Sequence, residues 1–368
     1  MNMRISKIYL FFIMITLLGV ISAGCGYLPS PDEVIGPPGG KTSNNLNINI
    51  NSFIPNGMTV LTSENSGGRY RIQFADIEND GVDELIAFYG IPTEYECKGF
   101  VILKKGENWQ RFHDQSYIEG TKYNVESVKF IDLNGGNKEM IIELSDFNEI
   151  RIFRIMKFED AVEKLYTFGE DRLDIIRMEE ENPLIAVWIN KPDGHDINII
   201  QWEDDGFINA TYDAPGYFLQ LLPKYSGDEA DGSDRKLMYR ADILMKAGDY
   251  SRALEAIGWY RSFEHTEEDI RKARVIESRC LFYLGETDQA LSVLSGNKTI
   301  HGYDNELLLE SNFLLVDILL QKGNVETAHE ILDVSKELLY NFLHSNYKLH
   351  VWTHEYEKRL EKLSDVTN

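Results

Sequence analysis

Residues 76–84, DIENDGVDE, set acids at alternating positions around a glycine. Asp76, Glu78, Asp80 and Glu84 can each offer a carboxylate, and Val82 can offer its backbone carbonyl. Calcium takes six to eight oxygen ligands, which acid-rich loops of this kind supply. The glycine allows the sharp bend that makes those oxygens converge. Such an ion would be structural, stapling one turn, and not catalytic. The same residues also suit a tight β turn whose acids accept hydrogen bonds from backbone amides. A second stretch, DLNGGNKE (132–139), keeps Asp132, Asn134 and Glu139, lacks the middle acid and is one residue shorter.

Other residue pairs carry weaker chemistry. His350 and His354 stand four apart, a spacing that can chelate zinc on one helix face. Val351 occupies the place where the HExxH pattern has Glu, so a metalloprotease is unsupported. Asp204 and Asp205 form a carboxylate pair of the type a glycosidase could use. In a chain with 60 acids, such pairs also arise without a role. The sequence holds no GxSxG elbow, no Walker loop and no GxGxxG after a strand. Beyond Cys25 the cysteines are Cys97 and Cys280, with no CxxC pattern, and they read as buried free thiols.

The acidic turns sit among strand signals that run from about residue 53 to 222. RYRIQFADI, ELIAFYG, GFVILKK, SVKFIDL, EMIIEL, IRIFRIMKF, LIAVWIN and INIIQW are short, rich in β-branched and aromatic residues, and separated by polar turns. Their order recurs: a strand ending in an acid, an acidic-Gly turn, a very apolar strand, then a second apolar strand. Asp76 and Asp132 are 56 residues apart, and Arg177 takes the equivalent place 45 residues further on. Periods of this size indicate repeated supersecondary units, with propeller blades the leading candidate. DIENDGVDE resembles the turn of FG-GAP or VCBS β-propeller repeats, D-x-[DN]-x-D-G-x-x-[DE], through Asp76, Asp80, Gly81 and Glu84. Three visible copies leave two arrangements open. A further blade lies within 41–70 or 190–222, or the β module is incomplete.

After the polar break KYSGDEADGSDR (224–235) the period becomes helical. Three segments align: LMYRADILMKAGDYSRALEAI, RVIESRCLFYLGETDQALSVL and NFLLVDILLQKGNVETAHEIL. Each carries a Gly and an Ala five residues on: Gly248/Ala253, Gly285/Ala290 and Gly323/Ala328. The Gly spacings are 37 and 38 residues. The glycine suits a left-handed helix end, and Asp249, Glu286 and Asn324 suit the start of the next helix. The alanine permits close approach of the paired helices. Leu244, Leu281 and Leu319, four residues before each Gly, mark a common seam. The pattern resembles the tetratricopeptide repeat over about 236–338, with 339–363 as a terminal capping helix.

The N-terminus has its own logic. Arg4 and Lys7 precede an uncharged apolar run from Ile8 to Ile21, and Ser22, Ala23 and Gly24 lead into Cys25. This layout is that of a secretory signal peptide. With Cys25 it resembles the bacterial lipoprotein signal, although Ser22 stands where Leu is usual. The resemblance implies cleavage before Cys25 and a diacylglycerol on that residue, an anchor on the outer side of the cell membrane. The stretch that follows, GYLPSPDEVIGPPGGKTSNN, reads as a flexible tether. The formal net charge of −23 works against nucleic-acid partners and anionic lipid surfaces.

The expected organisation is therefore a signal peptide (1–24), a lipidated Cys25 with its tether (25–52), a β repeat domain (53–225) and a tetratricopeptide-like helical domain (236–368). The expected fold is β followed by α, a propeller-like module and then an α-solenoid. The expected function is partner binding or scaffolding without catalysis, with a protein or peptide on the concave face of the solenoid. The alternative is an envelope-polymer hydrolase with its site on the β domain. Calcium at the first turn is the one cofactor the sequence suggests.

Overall fold

The computed structural model describes residues 48–62, 72–91, 97–116, 125–144, 149–156, 161–168, 172–176, 182–191, 194–203, 206–225, 234–263, 265–295, 305–339 and 346–367. The leader, Cys25, most of the tether, Arg177 and the Asp204–Asp205 pair lie outside these residues. Among the described residues a β-rich N-terminal region is followed by an all-helical region of eight helices, and Asn49–Asn368 form one compact unit.

The strands form three antiparallel sheets that follow chain order. The first holds β1 (Thr59–Val60), β2 (Gln73–Ala75), β3 (Glu84–Gly90), β4 (Cys97–Lys105) and β5 (Trp109–Ser116). Strands β1 and β2 lie end to end along one edge of β3, with Thr59 opposite Gly90 and Gln73 opposite Ile86. The second is the meander β6 (Val125–Ile131), β7 (Glu139–Leu144), β8 (Glu149–Met156) and β9 (Ala161–Phe168). The third is β10 (Arg172–Ile176), β11 (Leu184–Lys191), β12 (Gly194–Glu203) and β13 (Gly206–Asn209).

Strand alternation decides which residues join which core, because successive side chains point to opposite faces. Ile86 and Phe88 of β3 meet Phe100 and Ile102 of β4, and pack with Met140 and Ile142 of the second sheet. Phe88 and Phe100 touch edge to face with ring centroids 6.0 Å apart. Ile141, on the other face of β7, packs with Ile185, Val187 and Trp202 of the third sheet. Leu184, Ala186 and Trp188, on the other face of β11, meet the first two helices. The central strands are thus buried on both sides, which explains why ELIAFYG is apolar throughout: all seven residues of β3 are buried.

The helices are α1 (Pro215–Tyr225), α2 (Asp234–Lys246), α3 (Tyr250–Tyr260), α4 (Glu267–Tyr283), α5 (Thr287–Ser295), α6 (Asn305–Gln321), α7 (Val325–Leu339) and α8 (Asn346–Thr367). Helix α1 occupies the end of the span read as β. Helices α2/α3, α4/α5 and α6/α7 are the three aligned hairpins. Helix α4 shows how local sequence sets its start. Thr266 accepts a hydrogen bond from the Asp269 amide at 3.2 Å, and Glu267, Glu268 and Asp269 place acids at the positive end of the helix dipole. Helix α8 lies against β13 and also packs on α6 and α7. Among the described residues no helix is long and apolar enough to cross a membrane.

Candidate functional site

The first acidic turn leaves β2 at Ala75 and re-enters β3 at Glu84. Both carboxylate oxygens of Asp76 accept backbone amides, from Asp80 and from Gly81, each at 3.0 Å. Asp80 Oδ1 accepts the Val82 amide at 2.9 Å. Asn79 and Gly81 take left-handed backbone angles, φ 52° and 83°. That conformation turns the chain inside four residues, and only glycine adopts it freely. Glu84 is fully buried, and its Oε2 accepts the Ile77 amide at 2.8 Å. Its Oε1 is buried without a hydrogen-bond partner. Burial, with Asp80 and Asp76 nearby, pushes the Glu84 carboxyl up to about 7.

Glu78, Asp80 and Glu84 bring carboxylate oxygens within 4.8 Å of one another. Among the described residues this is the one convergence of three acidic, His or Cys groups. The sequence-predicted ligands Asp76 and Val82 line the same turn. The donor set suits a hard cation in kind. The group that meets it is Lys104, at the end of β4, whose ammonium contacts Glu78 and stands 3.0 Å from Asp80 Oδ2. Sequence spacing alone hides this lysine. The signal lies in strand register, because Leu85 pairs with Leu103 and sets Lys104 beside the turn.

The second turn repeats the first. Glu139 is buried and accepts the Leu133 amide at 3.1 Å, as Glu84 accepts that of Ile77. Asp132 Oδ1 accepts the amides of Asn134 and Gly135, and Gly135 has φ 74°. The two turns also touch. The Asn79 amide group donates to Asp132 Oδ2 at 3.2 Å and to the Gly136 carbonyl. Lys138 Nζ reaches the Asp76 carbonyl at 2.8 Å, and its backbone amide donates to the Ile77 carbonyl at 2.7 Å.

The three helical glycines do one job three times. Gly248, Gly285 and Gly323 have φ of 79°, 86° and 73°. Each donates to the carbonyl three residues earlier, and the next residue donates to the carbonyl of Leu244, Leu281 or Leu319. This is the Schellman pattern, which satisfies the orphan carbonyls of a helix end. Ala253, Ala290 and Ala328 are all fully buried. Asp249 and Asn324 accept amides from Arg252 and Thr327, starting α3 and α7. Glu286 instead pairs with the Gln289 side chain.

One side of the hairpins faces the rest of the molecule. Lys246 of α2 pairs with Asp242 at 2.8 Å and donates to the Ile197 carbonyl of β12 at 2.8 Å. Lys272 of α4 contacts Asp196, also on β12. Arg279 contacts the Tyr212 hydroxyl and pairs with Glu310 of α6 at 2.9 Å. Arg359 of α8 pairs with Asp317 of α6 at 2.7 Å and donates to the Phe313 carbonyl. These contacts set the helical region against β12, the turn at Tyr212 and α8.

Elsewhere, Trp259 is 68% exposed at the end of α3, with Phe263 just beyond it at 48%. Phe263 lines a cavity of about 440 Å³ together with Tyr260, Arg261, Ile270, Arg274 and Val293, among others. Arg261 also pairs with Glu277 of α4. His350 and His354 do not join a three-residue ligand cluster among the described residues. His350 packs so closely on Gly206 that a Cβ there would come within 2.6 Å of its Nδ1. Cys97 and Cys280 are free and buried, and burial pushes both thiols up to about 12. No protein-family model matches the chain, and no curated protein matches it.

Proposed function

We propose that the protein is a lipid-anchored envelope lipoprotein that binds a protein or peptide partner through its helical region and catalyses no reaction. In this reading Cys25 carries the lipid, the tether holds the folded unit off the membrane, and the three meanders are propeller-type blades of the FG-GAP or VCBS kind. The three glycine-capped hairpins are tetratricopeptide-like repeats. One observation carries the binding role. The hairpins use one face within the molecule, while Trp259 at the end of α3 and Phe263 just beyond it are exposed to solvent, Phe263 beside an arginine-bearing cavity. Exposed large aromatics can mark interaction sites, and Trp, Tyr and Arg concentrate binding energy at interfaces. The α3–α4 edge is the docking surface this reading favours, beside the concave face that the repeat resemblance suggests.

Crosslinking in the native envelope tests this. The full-length protein should yield an adduct of defined mass that disappears in the Trp259→Glu/Phe263→Glu double variant, while the thermal melt is unchanged. An adduct pattern identical in both proteins would sink the assignment of this surface.

A further inference from the structure

We infer that the first acidic turn is closed by an internal cation, the ammonium of Lys104, and that calcium enters the turn only when that ammonium is removed. The inference stands apart from the partner-binding role. Lys104 touches two of the three converging acids, Glu78 and Asp80. It is delivered by β4, a strand whose residues Phe100 to Leu103 are fully buried, so its position is set by the sheet. A tethered group acts at a high effective concentration, against which a free ion must compete. A hydrated ion would also have to shed water and break an existing charge pair.

The rest of the turn closes through protein groups alone. Asp76 gives both oxygens to backbone amides, and Asp80 gives one. A second ammonium, that of Lys138 from the neighbouring turn, sits 2.8 Å from the Asp76 carbonyl. Two lysines thus stand around the turn. What Lys104 leaves unused is Glu84 Oε1, buried and without a hydrogen-bond partner. Removing the lysine joins that oxygen to the freed carboxylates of Glu78 and Asp80, a ligand group for a hard divalent cation.

The test compares thermal melts of the full chain in chelator and in about 10 mM calcium chloride, above the range of weak extracellular calcium sites. The unmodified protein should shift by less than about 1 °C, and Lys104→Met should rise by about 3 °C or more in calcium. Adding Asp80→Asn to Lys104→Met should abolish the rise. Lys104→Gln, which keeps a polar, hydrogen-bonding end without the charge, should behave as Lys104→Met. If either variant fails to fold in chelator, recovery of its far-UV dichroism on refolding in calcium supports the inference, and failure to recover overturns it. A calcium rise in the unmodified protein that Asp80→Asn removes also overturns it, as does a folded Lys104→Met that ignores calcium.

Discussion

Glu84 and Glu139 hold equivalent places in two successive turns, and each takes the amide of a fully buried aliphatic residue, Ile77 or Leu133. The sequence marks both glutamates as oxygen donors, but not that their first obligation is to a backbone amide. That depends on how tightly each turn folds back, and spacing does not specify it. For Glu84, folding raises the carboxyl pKa from 4.5 to about 7, through burial first and then the nearby Asp80 and Asp76. A group raised on folding adds stability below its unfolded value and loses that contribution as pH climbs through its folded value. Stability should therefore fall between about pH 5 and pH 8. Glu84→Gln, which keeps an oxygen for the Ile77 amide, should flatten that slope. It should add about 1 kcal/mol at pH 8 in urea titrations. An unchanged slope would show that the charge on Glu84 is balanced by another route.

At the scale of elements, the helical hairpins were legible because their signal is local. A glycine at a left-handed helix end and a small residue at the helix crossing leave marks at fixed spacing, and all three copies fold as that spacing predicts. Space is not the constraint at these glycines: no atom lies within 4 Å of a Cβ built on Gly285. The backbone angle is. Gly285→Ala should therefore cost about 1 kcal/mol, with a modestly lower melting temperature and no change in far-UV dichroism. The last strand of each sheet was less legible. Strands β5, β9 and β13 leave weaker marks in the sequence, since WQRFHDQS and AVEKLYTF mix polar and apolar residues and GFIN is only four residues long. An outer strand is held by its hydrogen-bonded neighbour, and that pairing is non-local. Helix α1 was missed for the same kind of reason. It follows the strands directly, and Phe218 and Leu221 show their purpose only against Trp188 and Ile197.

At the scale of the whole molecule, the strands give way to helices between Asn209 and Pro215, ahead of the polar stretch at 224–235, which instead separates α1 from α2. What it hides is that the cores meet across it. Leu184, Trp188 and Ile199 pack with Phe218, Tyr239 and Ile243, and Lys246 carries a buried charge pair to the same place. Such pairs are expensive to break from one side. Lys246→Met should cost about 3 kcal/mol in urea unfolding, while Lys246→Met/Asp242→Leu should recover most of it. A loss that persists in the double variant would assign the effect to the Ile197 carbonyl instead. Helix α8 makes the longest of these connections, with Val351 against the core of Trp202 and Phe207 and His350 against Gly206. This sets an order on biogenesis. The third sheet waits, partly uncovered, until α8 has emerged, so a product cut short ahead of α8 would carry its own mark of incompleteness for proteases to read.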